Sequence, residues 1–145
     1  QGFISQLARS VLWRRALPVY VPLDTVRDYI HISDAASVTL RCLKRLARRG
    51  PGPMVTKIVA SGRSASLAEI IGIFADIAPH HPRLITARTG HQQPSKLKFR
   101  STVYPDILPS SPTPLPAGIR SVFLDQVAML QQGRLPPPAD PQPRA

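Results

Sequence analysis

The segment 26–36 constrains the fold of this chain more than any other, because it joins a strand, a helix start and a well-placed charge. Its β-type run at residues 29–32 predicts a short strand, and Asp34 suits the N-cap of a following helix. Arg27 stands just before the run, and its rigid fork of donors suits a phosphate or a carboxylate. Two interpretations stay open: a ligand-facing corner of an α/β protein, or an ordinary strand-to-helix connection with a solvated arginine.

Hydrophobic periodicity and helix start and stop signals predict an α/β chain with few short strands and about four helices. The predicted helices cover residues 3–16, 35–49, 67–77 and 119–132, and the predicted strands cover residues 19–21, 29–32, 54–60 and 83–87. Ser66 and Glu69 form a capping box before the third helix. Alternation of Lys96, Lys98 and Arg100 predicts another short strand with one basic face.

Length and composition limit the class of protein. The 145 residues are 43% hydrophobic, which allows one domain with a core of its own, and no apolar run is long enough for a membrane span. Cys42 is the only cysteine, so an internal disulfide is excluded and a reducing, cytoplasmic location is expected. A small buried side chain is the interpretation we favour for this cysteine, rather than a reactive thiol.

The chain is strongly basic, with 19 Lys and Arg against 8 Asp and Glu and a formal charge of +11. Such a field suits nucleic acid, a phosphate-bearing small ligand or an acidic partner domain. Five of the basic residues lie within nine positions of the second predicted helix: Arg41, Lys44, Arg45, Arg48 and Arg49. They form either a nucleic-acid-binding face or a solvated helix end, and no aromatic residue interleaves with them as base stacking would require.

Other common site chemistries lack their patterns. His80, His81 and His91, with one cysteine and one glutamate in the chain, show no standard zinc spacing, so no metal site is predicted. Neither a nucleophile elbow nor a Walker phosphate-binding sequence occurs.

The segment Arg27-Asp28-Tyr29-Ile30-His31, followed by Asp34, strongly resembles one found in NAD-dependent epimerases and dehydratases. These are extended short-chain dehydrogenase/reductases, typified by UDP-glucose 4-epimerase. The strand, Ser-Gly turn and capping box of residues 58–70 and the Arg-x-Gly of residues 88–90 follow in the family's order. The resemblance covers residues 1–133 and only the C-terminal, substrate-binding part of a family member. It implies a nucleotide-sugar-binding domain fragment over residues 1–133, and the proline-rich residues 134–145 are expected to be a disordered tail.

The resemblance also implies roles for individual residues. Arg27 and Arg88 would clamp the diphosphate of a nucleotide sugar, the strand that contains Tyr20 would meet the uracil, and Phe3 would lie near the same phosphates. Two departures from the family pattern stand out: His91 replaces the acidic residue that meets the ribose, and Pro22-Leu23-Asp24 replaces a Gly-Asp-Gly loop.

The family's catalytic and cofactor motifs are missing from these 145 residues. No three glycines have the Gly-x-x-Gly-x-x-Gly spacing of the dinucleotide-binding turn. The catalytic pair Tyr-x-x-x-Lys is also absent, because the residues four positions after Tyr20, Tyr29 and Tyr104 are Asp24, Ser33 and Leu108. The resemblance therefore implies the substrate-binding portion of a parent enzyme that uses NAD, inactive alone. Its expected partners are a UDP-sugar, an N-terminal Rossmann half and a possible second copy of the parent. The start at Gln1 suggests a cut through a longer polypeptide.

Overall fold

The computed structural model describes residues 2–52, 54–86 and 95–138. Within these ranges the chain forms four α-helices, four strands of three residues and one turn of 3-10 helix. The helices are α1 (Phe3–Leu12), α2 (Ile32–Arg49), α3 (Leu67–Ile77) and α4 (Leu115–Gln131); the strands are β1 (Leu17–Val19), β2 (Val26–Asp28), β3 (Ser64–Ser66) and β4 (Leu84–Thr86); the 3-10 turn is Pro105–Ile107. The predicted class, α/β with few short strands and about four helices, is confirmed.

The strands form two separate pairs. β1 runs parallel to β4, with Val19 opposite Thr86, and β2 runs antiparallel to β3, with Val26 opposite Ser66. On the other side of β2, the Val26 N–H donates to the Ser95 carbonyl at 2.8 Å. Val26 therefore lies between β3 on one side and residues 95–97 on the other.

The hydrophobic core lies where α1, α3 and α4 pack on the β1–β4 pair. Leu7 of α1, Ile70 and Phe74 of α3 and Ile119 of α4 are almost completely buried. The ring of Phe123 meets that of Phe74 edge to face, with centroids 5.4 Å apart. The buried residues of α3 and α4 recur three or four positions apart, so each helix turns one apolar face to the core.

Helix α1 ends four residues earlier than predicted. The Arg15 N–H donates to the Ser10 carbonyl at 2.8 Å, the Arg14 N–H donates to the Val11 carbonyl at 3.1 Å, and Arg14 has a left-handed φ of 52°. This is a Schellman end, which stops the helix before any proline is reached. The strand consequently covers Leu17–Val19 and includes Pro18, so the predicted bounds 19–21 were wrong.

The strand and helix around residue 30 are also displaced from their predicted bounds. β2 is Val26–Asp28 rather than residues 29–32, and α2 begins at Ile32 with His31 as its N-cap. The His31 ring accepts from the Ser33 N–H at 3.4 Å, whereas the Asp34 carboxylate accepts from the Thr113 N–H at 2.8 Å. Asp34 was a wrong choice of N-cap, because its carboxylate holds the loop that leads into α4.

Two predicted strands do not form in the described residues. Residues 54–60 belong to no strand, and of residues 96–100 only Lys96 makes an isolated bridge, to Val26. The Ser66 cap, by contrast, is confirmed, since its hydroxyl accepts from the Glu69 N–H at 3.1 Å. Leu135, in the segment predicted as a disordered tail, is only 5% exposed. None of the described helices is both long and apolar enough to cross a membrane.

Candidate functional site

Arg27 occupies the centre of β2, opposite Ala65 of β3, and is half-buried. Its guanidinium donates to the carbonyl of Val26 at 2.9 Å. Among the described residues no carboxylate forms an ion pair with it. The residue therefore presents a fixed positive charge that no carboxylate of the described residues neutralises.

The two residues after Arg27 also have unusual surroundings. One oxygen of the Asp28 carboxylate accepts from the Ser61 N–H at 2.8 Å, and the other is buried with no hydrogen-bond partner among the described residues. Burial raises the pKa of the Tyr29 hydroxyl above its ordinary value of 10.0, and the positive charge of Arg27 acts in the opposite direction. A buried carboxylate oxygen and a phenol that keeps its proton at neutral pH thus directly follow Arg27 along the chain.

Asp28 and Tyr29 line a cleft of about 390 Å³ between three parts of the fold. One wall comes from the start of α1, the second from residues 28–32, and the third from the loop and first turns of α4. Gly118 permits this approach, because a Cβ at that position would lie 3.3 Å from the Cδ2 atom of His31. Most of the lining side chains are apolar, which is typical of a small-molecule site with a few polar groups.

The predicted site residues stand at different places around this cleft. Phe3 and Arg27 are immediate neighbours of lining residues without lining the cleft themselves. Tyr20 is 41% exposed and follows β1 at the end where Val19 lies opposite Thr86. The structure therefore places the neighbours of Phe3 and Arg27 in one cleft, and it places Tyr20 at the carboxyl end of the parallel pair.

Arg88 lies outside the described residues, as do Gly90 and His91. The described chain on either side of them is nevertheless informative. Thr86 ends β4 beside Val19, and Ser95 accepts a hydrogen bond from Val26. Thr86 therefore lies beside the strand that precedes Tyr20, and Ser95 lies beside the residue that precedes Arg27.

The basic run on α2 has a structural use that the sequence did not reveal. Arg45 forms an ion pair with Asp106, and its guanidinium carbon lies 4.2 Å from the centroid of the Tyr104 ring. Arg49 donates to the Tyr104 hydroxyl at 3.2 Å, and Arg41 donates to the carbonyl of Ile107 at 3.4 Å. Three of the five basic residues therefore hold the 3-10 turn against α2. Aromatic and acidic residues at 104 and 106 are visible in the sequence, but nothing local pairs them with a helix about sixty residues away.

Within the described ranges no group of three or more His, Cys, Asp or Glu side chains is arranged to hold a metal ion. Cys42, expected to be buried, is only partly so, because α2 buries little of its length.

Comparison with known proteins gives matches only among solved structures. No family model matches the chain, and no curated protein matches it. A variant of UDP-glucuronic acid 4-epimerase from Bacillus cereus, in complex with UDP-4-deoxy-4-fluoro-glucuronic acid and NAD, is 17% identical with a TM-score of 0.71. UDP-glucose 4-epimerase from Thermotoga maritima with UDP-glucose is 16% identical with a TM-score of 0.66. RMD from Pseudomonas aeruginosa, complexed with NADPH, is 22% identical with a TM-score of 0.62.

These three structures are much longer than the present chain. The overlap covers 88%, 88% and 84% of this chain, in the order given above, and 40% of each solved structure. The likeness shows the fold, and it confirms the resemblance inferred from the sequence at that level.

Proposed function

Because the chain has part of the fold of the extended short-chain dehydrogenase/reductases, we propose that it is the substrate-binding portion of a nucleotide-sugar epimerase or dehydratase. Arg27 and Arg88 hold the diphosphate of the nucleotide sugar, and Tyr20 and Phe3 border the same ligand. The observation that carries this proposal is Arg27, a half-buried guanidinium that no carboxylate among the described residues neutralises. A bidentate pair with a phosphate would use the donors left over from its bond to Val26.

The path of the chain supports the pairing of the two arginines. Parallel strands leave their carboxyl ends at one edge of a sheet, and ligands of open α/β folds bind there. Tyr20 follows β1 at that edge, Thr86 ends β4 there, and Ser95 lies beside Val26. In this proposal the residues between Thr86 and Ser95 bring Arg88 to the phosphates that Arg27 holds.

The cofactor belongs, in this proposal, to another part of the parent enzyme. NAD would take a hydride from the sugar and return it, but this chain has neither the glycine turn that cradles a dinucleotide nor the tyrosine and lysine pair. We assign those elements to a Rossmann half, and we place the complete enzyme in the reducing cytoplasm, with a second copy as a further possible partner.

The surface of α2 supports the need for such a half. Residues at positions 32, 36, 40, 43 and 47 recur at helical spacing, are all apolar and are all exposed. Ile32, Leu40 and Leu43 are 77%, 53% and 58% exposed, and Val38 is the only buried residue that the helix contributes. An apolar stripe of this length on a free surface is typical of an interaction face.

The segment that follows α2 has the same unpartnered character. Met54 is 94% exposed and Ile58 is 50% exposed, while the Lys57 ammonium between them donates to the Ser101 hydroxyl at 2.7 Å. No backbone-to-backbone hydrogen bond involving residues 54–60 occurs among the described residues. The Ile58 carbonyl accepts from the Ser101 hydroxyl at 2.7 Å, but a β-type sequence whose backbone makes no ladder hydrogen bonds in the described residues is suited to adding a strand to another sheet.

Calorimetric titration with UDP-glucose and UDP-glucuronic acid tests the ligand assignment. Arg27→Ala should weaken binding by about tenfold or more, since a charged hydrogen bond to phosphate contributes about 1.5–3 kcal/mol. Arg120→Ala, which removes an exposed charge from α4, is the matched control and should bind as the wild type does. Equal heats for Arg27→Ala and Arg120→Ala would rule out the phosphate role of Arg27.

Amide hydrogen exchange on the same chain tests the need for a second half. Residues 54–60 should exchange quickly, because their N–H groups have no backbone partner in the described part of the chain. Residues 70–74 of the buried helix α3 are the internal reference and should be protected. Strong protection of residues 54–60 in the isolated chain would mean that the segment is already paired, and would contradict the proposal that it adds a strand to another sheet.

Nucleic-acid binding through α2 is less well supported. Arg41, Arg45 and Arg49 are engaged by the 3-10 turn and by Tyr104, so fewer cations have all their donors available for phosphates than the sequence suggests. A steep decrease of duplex DNA affinity with salt, weakened by Lys44→Gln and Arg48→Gln, would restore that alternative.

A further inference from the structure

A second cleft, of about 330 Å³, opens between the C-terminal end of α1 and the residues that precede β4. No carboxylate of the described residues contributes to its lining. Apart from one serine, the polar side chains that line it are arginines and histidines: Arg14, Arg15, His80, His81 and Arg83. These residues lie at the amino-terminal ends of β1 and β4, whereas Tyr20 lies at the carboxyl end of the same pair. The nucleotide-sugar site proposed above uses none of them.

Arg14 occupies a backbone position that normally selects for glycine. It is the first residue beyond the cap of α1, with φ at 52°, in the Schellman arrangement set by the hydrogen bonds to Ser10 and Val11. Glycine is the usual residue at this position, and only a few per cent of other residues adopt a positive φ. Arg14 therefore has a long charged side chain at a position where the backbone conformation favours glycine, which has no side chain.

The Arg14 side chain reaches across the cleft. Its Nη2 atom lies 3.1 Å from the Nε2 atom of His80, which is 66 residues further along the chain. A guanidinium has donors and no acceptor, so Nε2 accepts this bond. The contact joins the two walls of the cleft and leaves four further N–H donors on Arg14.

Arg14 and Arg83 bring two guanidinium groups into one cleft, no carboxylate of the described residues forms an ion pair with either, and two like charges repel one another unless an anion lies between them. The planar fork of N–H donors on each guanidinium matches the spacing of two phosphate oxygens, and imidazole N–H groups add further donors. The cleft also has room for more than one phosphoryl group. From these observations we propose that the cleft binds a small molecule that carries a diphosphate or a phosphate ester.

Inorganic pyrophosphate, titrated calorimetrically at low ionic strength into the full chain, is the probe. The titration is done in an Arg27→Ala background, which weakens the anion site of the proposed function, and the cleft variants Arg14→Gly and Arg83→Gln keep the two assignments separable. We expect one pyrophosphate to bind, and Arg14→Gly and Arg83→Gln each to weaken it by about tenfold. Arg14→Gly is informative because glycine suits the backbone there, so the variant should unfold at the same denaturant concentration or higher.

Arg120→Gln and Arg63→Gln are the matched controls, since each removes one charge from an exposed arginine that does not line the cleft. Both should keep the affinity of the background protein. Equal weakening in all four variants would mean that pyrophosphate responds only to net charge, and would overturn the proposal. It is also overturned if pyrophosphate does not bind in the Arg27→Ala background, or if Arg14→Gly binds pyrophosphate as tightly as the background protein does with the fold intact.

Discussion

The guanidinium carbon of Arg45 lies 4.2 Å from the centroid of the Tyr104 ring, and the same side chain pairs with Asp106. This contact joins the middle of α2 to a 3-10 turn 60 residues later in the chain. It gives the basic run of α2 an intramolecular partner. Neither interpretation drawn from the sequence, a nucleic-acid-binding face or a solvated helix end, included such a partner.

A double-mutant cycle tests the contribution of this contact to stability. Arg45→Met and Tyr104→Leu should show a coupling free energy of about 0.5–1 kcal/mol, the usual size for a partly exposed cation–π pair. Denaturant unfolding of the wild type, the two single variants and the double variant measures it. Arg48→Met, at an exposed position of the same helix, is the control and should show no coupling with Tyr104→Leu. A coupling free energy of zero for Arg45→Met as well would show that the contact does not contribute to stability.

Stability should fall at alkaline pH through Tyr29. Burial raises the pKa of this hydroxyl above 10.0, so the folded chain keeps its proton at a pH where the unfolded chain loses it. The free energy of unfolding should therefore decrease as the pH rises above about 10 and through the folded-state pKa. Tyr29→Phe should remove this part of the pH dependence, as measured by denaturant unfolding across the alkaline range.

The charge of Arg27 gives a second test at the same residue. Because that charge lowers the pKa of Tyr29, Arg27→Ala should raise it further. The ultraviolet absorbance of tyrosinate follows the titration, and subtraction of the Tyr29→Phe curve identifies the residue. A Tyr29 pKa that falls in Arg27→Ala would mean that the two side chains are not neighbours.

Removal of the Phe74 side chain should be severely destabilising. Phe74 is completely buried and contacts Phe123 edge to face, and truncation of such a residue to alanine costs about 3–5 kcal/mol. Thermal and denaturant unfolding of Phe74→Ala measure the loss. Phe99→Ala, at a position that is 44% exposed, is the control and should change stability by less than about 1 kcal/mol. Similar losses at the two positions would contradict the core described above.

The cap of α3 makes a smaller contribution. Ser66→Ala should lower the free energy of unfolding by about 1 kcal/mol, because the Glu69 N–H loses its acceptor. Ser66→Asp should preserve most of the stability, since aspartate caps as well as serine does. A Ser66→Ala variant as stable as the wild type would show that water replaces the hydroxyl without loss.

Some of these features could be read from local sequence. The capping box at Ser66 and the spacing of Ile70 and Phe74 defined α3 to the residue, because the cap and the buried stripe both depend on neighbours within a few positions. The order of helices and strands, and the resemblance carried by the Arg27 segment, were available for the same reason.

Two of the errors arose where distant contacts decide local structure. Asp34 was a reasonable N-cap by its type, but its carboxylate is used by Thr113, and His31 takes the cap instead. Residues 54–60 have the composition of a strand, and no strand runs beside them in the described part of the chain to pair with.

The sequence by itself determined which segments become helices, where α3 starts and which side chains are apolar enough to form the core, since these properties follow from spacing and side-chain chemistry. Tertiary structure alone decided that Arg14 meets His80, that Arg45 meets Tyr104 and that the apolar stripe of α2 stays exposed. The physical reason is that such contacts join residues about sixty positions apart, and the chain between them carries no local signal of where its ends will meet.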